Sequence, residues 1–469
     1  MVINISEQYP LKKTLCIYRV PVNIRGLKEE AYIPSAVGLG LYHHNINLSV
    51  MDGHKKEAVK RTLSRINLTS QQLNTELNKK IEKLENEIRD CYQDRAIECS
   101  GQTFEDIFVK DACFILQYIR SYVGMDASPT DSTNSCFQNY DHHDDFHSSV
   151  QSDIWKLENQ IPLFILITIL QLEFNDHAKD KLAEMLQMFF LFRPFVFYFT
   201  SCRNKIESRL KHHTENGAHH LLDLYRRMIR DMLSYSSSVS SYDFESQHGI
   251  EEREQRTDTA VKRCGPILLD VGCIDRTRVL VDDTPRAELL EKAGIKFEGG
   301  KLRFQRSLFG GSLSIPIMHV DYATEGLLRN LMAFEECQIH TRNSIPTIIS
   351  QYVHLMDDLI DSENDVAVLK REKIICSKLG SDAEIAVMFN CICKSITETK
   401  YESLEITMRQ ARKHYNSRLQ RWVSEFKKEN CSKPWYVVSG VVAALILVMT
   451  AVQTVYAVKK LRYRHMISG

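Results

Sequence analysis

The chain has 469 residues, and its 60 lysines and arginines balance 60 aspartates and glutamates, which argues against nucleic-acid binding because that needs a basic surface. Hydrophobic residues make up 43% of the sequence, enough for a sizeable core. The 13 cysteines are odd in number and lack the spacing of a disulfide framework, which is typical of a reducing compartment.

A short N-terminal extension, 1–16, leads into a segment whose prolines impose extended or turn geometry on the residues before them. We therefore expect ordered coil and short strands here rather than long helices. Tyr42, His43 and His44 lie in this segment. Neighbouring side chains on an extended backbone point to opposite sides, so a structural hydrogen-bonding role is favoured for the histidines. Metal ligation by His43 and His44 is the alternative.

The next region predicts a charged helix with a single apolar seam. Its apolar residues recur at spacings of three and four and are Leu73, Leu77, Ile81, Leu84 and Ile88. The seam covers only about three heptads, so packing against the body of the same domain is favoured over a coiled coil. A homodimer through these residues is the alternative.

Helical periodicity dominates the rest of the chain to about residue 430. The predicted helices cover 103–120, 153–174, 178–199, 205–234, 324–340, 345–361, 365–378, 382–396 and 401–428. Gly-punctuated sequence at 267–271 and 295–320 predicts short strands. Polar sequence at 121–152 and 235–263 predicts two flexible insertions. The expected fold is mainly α with a few short β-strands, as one large soluble helical domain over 17–430 followed by a C-terminal transmembrane helix.

That predicted transmembrane helix occupies 434–458. The 24 residues from Trp435 to Val458 carry no charge. As a helix they would be about 36 Å long, enough to cross a hydrocarbon core of about 30 Å. A short basic tail, 459–469, follows. The sequence thus predicts a single-pass protein held in a lipid bilayer by its C-terminus.

The start of the chain lacks the apolar run of a signal peptide, so we expect the bulk of the protein in the cytosol. We expect the membrane that holds it to be the plasma membrane. Sequons at Asn47 and Asn67 would be glycosylated only if the domain lay on the lumenal side. Their modification would therefore reveal the orientation of the domain.

Two polar groups in the sequence are candidates for chemistry. Glu158, Asn159, Gln160 and Pro162 interrupt an apolar helical stretch, where satisfying buried backbone groups is favoured over a general acid with a raised pKa. The His-rich run 141–147 offers ligand types for zinc or copper through His142, His143 and His147, although a solvated loop is favoured. Nucleophile-elbow, phosphate-loop and zinc-protease motifs are missing, so we expect neither enzymatic activity nor a cofactor.

Several short motifs, in their order along the chain, resemble those of the plant family known as domain of unknown function 247, whose members include UPF0481 proteins. They include Tyr18-Arg19-Val20-Pro21, Tyr42-His43-His44, Glu158-Asn159-Gln160-Ile161-Pro162 and Thr324 to Glu335. The resemblance covers nearly the whole chain from Tyr18. It makes Glu325, Arg329, Asn330 and Glu335 family motif residues, with a structural role expected. One departure is Leu41, where the family usually has proline.

The resemblance implies a membrane-anchored plant protein without assigned enzymatic activity. We therefore expect a protein–protein recognition or signalling component with an unidentified protein partner, and the polar insertions are candidate contact surfaces. One alternative, which the resemblance to grass members implies, is a pollen-side self-incompatibility determinant that recognises a small secreted pistil protein. A second alternative is a membrane-tethered, metal-dependent hydrolase that uses His43, His44, Glu158 or the run 141–147.

Overall fold

The structure is a computed structural model. It describes residues 15–46, 49–66, 70–99, 103–125, 144–190, 203–234, 284–307, 310–341, 347–394, 396, 402–417, 442, 445–450 and 452–454. Its helices and strands share one continuous hydrophobic core.

The first half of the described chain is helical. Its helices are α1 (Val22–Arg25), α2 (Gly40–His43), α3 (Ser49–Arg65), α4 (Ser70–Lys83), α5 (Glu85–Asp90), α6 (Phe104–Tyr122), α7 (Asp144–Ile154), α8 (Leu163–Phe174), α9 (Ala178–Phe190), α10 (Arg203–Glu215) and α11 (Leu221–Ser234). Short 3₁₀ turns lie at Glu29–Ala31 and Asn175–His177. Helix α6 lies at the centre, packed against α3, α4 and α8. Its N-cap Thr103 accepts a hydrogen bond from the Asp106 amide at 3.2 Å, and its side chains are buried on nearly every face.

The second half combines helices with two small sheets. Its elements are α12 (Ala287–Lys292), β1 (Ile295–Gly299), β2 (Arg303–Ser307), β3 (Gly310–Ile315), β4 (Met318–Val320), α13 (Thr324–Thr341), α14 (Ile348–Leu359), α15 (Glu363–Arg371), β5 (Ile375–Ser377), α16 (Asp382–Ile392) and α17 (Glu402–Tyr415). Strand β3 lies between β1, to which it is parallel, and β2, to which it is antiparallel. Strands β4 and β5 pair in parallel, with Met318 opposite Ile375. The two halves meet where α11 packs against α14.

Four predicted boundaries differ from the structure. The helix expected over 205–234 is interrupted between α10, which ends at Glu215, and α11, which begins at Leu221. The helix expected over 153–174 ends at Ile154 and restarts at Leu163, because the polar side chains between them bond to backbone groups elsewhere. Part of the insertion expected at 121–152 is helical, as α6 and α7. The helix expected over 365–378 gives way to β5, whose backbone pairs with β4. Residues 126–143, 235–263 and 267–271, with their predicted insertions and strand, lie outside the described residues.

The apolar seam of α4 and α5 faces the protein's own core. Leu77, Ile81 and Ile88 are fully buried, and α4 packs against α6. Leu84 is partly buried against the same cluster, while the side chain of Leu73 lies outside the described part of the structure. A second copy of the chain could reach this seam only by displacing α6. The homodimer stays a prediction. The packing of this seam against α6 does not favour it.

Removing one methylene from this seam should destabilise the fold and leave the oligomeric state unchanged. We expect Ile81→Val to lower the free energy of unfolding by about 1 kcal/mol, because it opens a small void in a packed core. Glu82→Ala, at the exposed neighbouring position, should change it by less than about 0.5 kcal/mol. Chemical denaturation and light scattering provide the two measurements. A change in molar mass without a change in stability would instead support the dimer.

The C-terminal transmembrane helix predicted for 434–458 requires correction. Among the residues that the structure describes, no helix is both long and apolar enough to cross a bilayer. A crossing takes about 20 residues in one helix, whereas the helical residues described in this segment are Val442, 445–450 and 452–454. The rest of the segment and the tail 459–469 lie outside the described residues. The mainly helical character with a few short strands agrees with the prediction.

Candidate functional site

The Glu158 carboxylate is fully buried and ties the N-terminal segment to the helical body. Its oxygens accept hydrogen bonds from the Val20 amide at 2.6 Å, from the Arg25 guanidinium, and from Arg19 Nη1 at 3.4 Å. The His43 Nε2 atom lies 3.6 Å from the same group. Two guanidinium groups and a backbone amide thus occupy both oxygens of this buried carboxylate.

Asn159 performs a similar task through neutral hydrogen bonds. Its Oδ1 atom accepts from the Leu39 amide at 2.7 Å, and its Nδ2 atom donates to the carbonyls of Val37 and Asp153, both at 2.9 Å. The Asp153 carboxylate in turn accepts from the three successive amides of 35–37. An irregular buried segment needs such partners for its backbone groups, because it has no ladder of its own.

Gln160 shapes the turn between α7 and α8. Its Nε2 atom donates to the carbonyls of Ile154 and Lys156 at 2.7 and 2.9 Å, and its Oε1 atom accepts from the Leu222 amide at 3.2 Å. Pro162 then occupies the N-cap position of α8. These bonds replace the helical hydrogen bonds that the chain forgoes between 155 and 162.

The aromatic triplet 42–44 lies on and just after α2, rather than in the extended backbone that the sequence predicts. Gly40 starts this turn at φ +63°, where a Cβ would collide with Tyr92 and with the Gln160 carbonyl. His43 is buried, and burial outweighs the Glu158 carboxylate and lowers the pKa of His43 to about 4. The His44 Nδ1 atom lies 3.0 Å from the Leu41 carbonyl. The structure thus directs both rings into the core, although their roles in metal binding stay a matter of prediction.

The remaining predicted side chains of this region differ in position. Tyr42 donates a hydrogen bond to the Ile17 carbonyl at 3.4 Å, with the Arg19 guanidinium 3.8 Å above its ring. His147 lies in α7 beside the ring of Tyr118. His142, His143, Asn47 and Asn67 lie outside the described residues.

Lys55 and Asp111 are 56 positions apart in the sequence and form a buried ion pair that sequence analysis missed. The Lys55 ammonium donates to the Asp111 carboxylate and to the Gly38 carbonyl, each at 2.6 Å, and the Gly40 amide donates to the same carboxylate at 2.8 Å. Both charged side chains are at most 3% exposed. Burial raises the pKa of Asp111, although the Lys55 ammonium opposes that shift. The pair fixes the turn before α2 onto α6.

The predicted residues of α13 divide between two faces. Asn330 accepts from the Leu157 amide and donates to the Ala31 carbonyl, both at 2.8 Å. Glu335 accepts from the amide and hydroxyl of Ser350, at 2.9 and 2.8 Å, and its burial raises its pKa. These two side chains join α13 to the N-terminal segment and to α14. Glu325 and Arg329 instead face a depression at the surface.

This depression, which we call the α13–α16 pocket, is open on one side and has a volume of about 610 Å³. It is lined by Leu27, Lys28, Asp321, Tyr322, Glu325, Arg329, Leu379, Ser381, Ala383, Glu384, Val387, Met388 and Cys391. Glu325 lies at its base, where it accepts from Lys28 Nζ at 2.6 Å and from Arg329 Nε at 2.9 Å. Burial acts to raise the pKa of Glu325, but the two cations outweigh it and lower that pKa.

The pocket exposes apolar surface beside those charges. Tyr322 is 81% exposed, Val387 63% and Leu27 43%. Sequence analysis missed these residues. The one available signal was an aromatic residue placed just before the N-terminus of a helix, where a capping network between Asp321 and Thr324 holds the backbone. Tertiary packing decides which residues of α16 face Tyr322.

A predominantly helical domain with an N-terminal segment bound by buried charges is the class that this structure defines. Residues 17–449 match the plant family described as a plant protein of unknown function, DUF247, and the chain belongs to that family. The resemblance noted in the sequence is thereby confirmed.

The relatives are similar over nearly their whole length. The chain is 26% identical over 465 residues to a UPF0481 protein of Arabidopsis thaliana. This alignment covers 95% of the chain and 87% of the relative. The chain is 23% identical over 508 residues to a putative UPF0481 protein of the same plant, covering 95% and 91%. No solved structure shows significant similarity to the chain.

Proposed function

We propose that this family member is a protein-recognition component without chemistry of its own, and that it receives a segment of its partner in the α13–α16 pocket. The observation that carries this proposal is the exposure of Tyr322 and Val387 around one depression. Large apolar side chains that stay exposed together are typical of protein contact sites, and aromatic residues dominate the energetics of such contacts.

The base of the pocket supports the proposal because it is already ordered. Lys28 comes from the N-terminal segment, whereas Glu325 and Arg329 come from α13, and the two ion pairs connect them. Arg329 is only 5% exposed and also lies 3.4 Å from the Cys391 carbonyl of α16. A preorganised surface loses less conformational entropy on binding than a mobile one.

The charges of the pocket indicate the chemistry of its partner. Three acidic side chains, Asp321, Glu325 and Glu384, exceed the two basic ones, Lys28 and Arg329, by one negative charge. Glu384 is exposed at the rim. We therefore expect the bound segment to present an apolar side chain toward Tyr322 and Val387 and a basic side chain toward Glu384.

The candidates for a hydrolase site are His43, His44, Glu158 and the run 141–147, and the burial of Glu158 among them favours the non-enzymatic role. Glu158 has no exposed surface, and amide and guanidinium groups occupy its oxygens. A general acid or base must reach a substrate proton within hydrogen-bonding distance. The pollen-side alternative and the contact roles of 121–152 and 235–263 stay predictions.

Photo-crosslinking followed by affinity measurement tests the pocket. A photoreactive amino acid at position 322 of the full chain, expressed in plant tissue, should form a specific adduct, and the same amino acid at exposed Ile406 serves as the control. The adduct partner is then purified. We expect Val387→Asp to weaken its binding at least about 30-fold, the loss typical of a hot spot, because a charge replaces an apolar contact.

Ile406→Asp, at a position that is 42% exposed and outside the pocket, should leave this affinity within about 2-fold. Equal affinities of the Val387→Asp variant and the unaltered chain would overturn the proposal. So would adducts at positions 322 and 406 that are indistinguishable.

A further inference from the structure

Three potential metal ligands converge between α14 and α16. His354 and Asp357 are three residues apart on α14, which places them on one helix face. Cys393 follows directly after the last residue of α16, at its C-cap. One ligand atom from each of these side chains lies within 4.8 Å of the other two.

We propose that His354, Asp357 and Cys393 form a zinc-binding site, and we call them the zinc triad. Imidazole, carboxylate and thiolate are the three ligand types that zinc takes from proteins. Hard cations such as Mg²⁺ and Ca²⁺ prefer oxygen ligands throughout, so a thiol and an imidazole favour zinc over them. None of these residues is among the histidines that the sequence singled out, and the proposal does not depend on the function proposed above.

The spacing of the triad is close to that of a bound ion. Zinc lies about 2.0–2.3 Å from each ligand atom, so tetrahedral ligands are roughly 3.5 Å apart. The ligand atoms lie within 4.8 Å of one another, so zinc binding would have to bring them roughly 1 Å closer together. Three protein ligands leave a fourth position for water or for a group of a bound molecule.

The surroundings of the triad suit a cation that displaces a proton. Asp357 and Cys393 share a hydrogen bond, so the carboxylate and the thiol already face each other. Zinc binding would form a zinc–sulfur bond, break the sulfur–hydrogen bond and release that proton to solvent. The Asp358 carboxylate beside the triad adds further negative charge. The competing explanation is a hydrogen-bonded contact between the two helices without a metal.

Metal content and cobalt spectroscopy of the full chain distinguish these explanations. The starting protein should carry His142→Ala, His143→Ala and His147→Ala, because that His-rich run could hold zinc adventitiously. We expect one zinc ion per chain after dialysis. Cobalt in its place should give a thiolate-to-cobalt charge-transfer band and the strong visible bands of tetrahedral coordination.

Cys393→Ser and His354→Gln should each weaken zinc binding at least about 100-fold, beyond the loss typical of an outer-shell change. Cys376→Ser is the matched control, because that thiol is also partly buried but lies on β5 outside the triad. Circular dichroism of the metal-free variants checks that they fold. Zinc content unchanged by Cys393→Ser, or cobalt spectra without a thiolate band, would overturn the proposal.

Discussion

Replacing Glu158 with alanine should lower the free energy of unfolding by about 3–5 kcal/mol, the cost of removing one partner from a buried ion pair. The side chain is fully buried, and its loss leaves the Arg25 guanidinium and the Val20 amide without their acceptor. The Val20 amide is buried and would lose its acceptor, whereas the Arg25 side chain is 24% exposed and can regain part of its hydration. Urea denaturation at constant m-value measures the change.

Asp94→Asn provides the matched control, because Asp94 pairs with Arg19, a residue that also contacts Glu158. The Asp94 side chain is 48% exposed, so solvent screens the pair and the loss should stay below about 1 kcal/mol. Glu158→Gln should fall between the two variants, since it keeps an acceptor but removes the charge. Similar losses in Glu158→Ala and Asp94→Asn would show that the buried carboxylate is not what joins these segments.

Mild acid should destabilise the protein through two buried histidines. Burial lowers the pKa of both His43 and His220 from 6.5 to about 4. The unfolded chain therefore binds more protons than the native one between these values. Their contribution is complete above about pH 6.5 and is lost as the pH falls toward 4. At pH 5 each histidine should lower the free energy of unfolding of the protein by about 2 kcal/mol relative to its value at neutral pH.

The hydrogen bonds of His220 explain why its neutral form is required. Its Nε2 atom lies 3.0 Å from the Cys16 carbonyl, and its Nδ1 atom accepts from the Asp223 amide at 3.2 Å. A proton on Nδ1 would face that amide hydrogen. The ring also packs edge-on against Phe334, with 4.9 Å between centroids, so it cannot turn toward solvent.

Unfolding free energies at pH 7.5 and pH 5 should differ less in His43→Gln and in His220→Gln than in the unaltered chain. Exposed His177→Gln should leave the difference unchanged. Buried Asp111 and Glu335, whose pKa values are raised, act in the opposite direction, so the comparison is made between variants. A pH dependence that neither histidine variant reduces would contradict the assignment of buried neutral rings.

Local periodicity accounts for the long helices that the sequence predicts correctly. The sequence predicts α13 over 324–340, and the helix occupies Thr324–Thr341. It predicts α6 over 103–120, and the helix occupies Phe104–Tyr122. In both helices the apolar spacing and the polar residue at the start act within a few turns, so neighbouring residues carry the needed information.

Prediction failed where distant groups compete with local preference. The apolar composition around Ile161 favours one continuous helix, yet the side chains of 158–160 bond to the N-terminal segment and to Leu222. Strand β5 forms because β4 offers it hydrogen-bonding partners. The spanning helix predicted for 434–458 is a separate case: its prediction rests on composition, and no helix among the described residues is both long and apolar enough to cross a bilayer.

The sequence by itself determined the helical class, the family and the apolar faces that form the core, since these depend on residue type and short-range spacing. Only the tertiary structure decided which charges became buried partners, as with Lys55 and Asp111. The tertiary structure also places Tyr322 and Val387 in the lining of one pocket, and His354 close to Cys393. Those pairs come from separate elements, and their proximity depends on how the helices pack around a shared core.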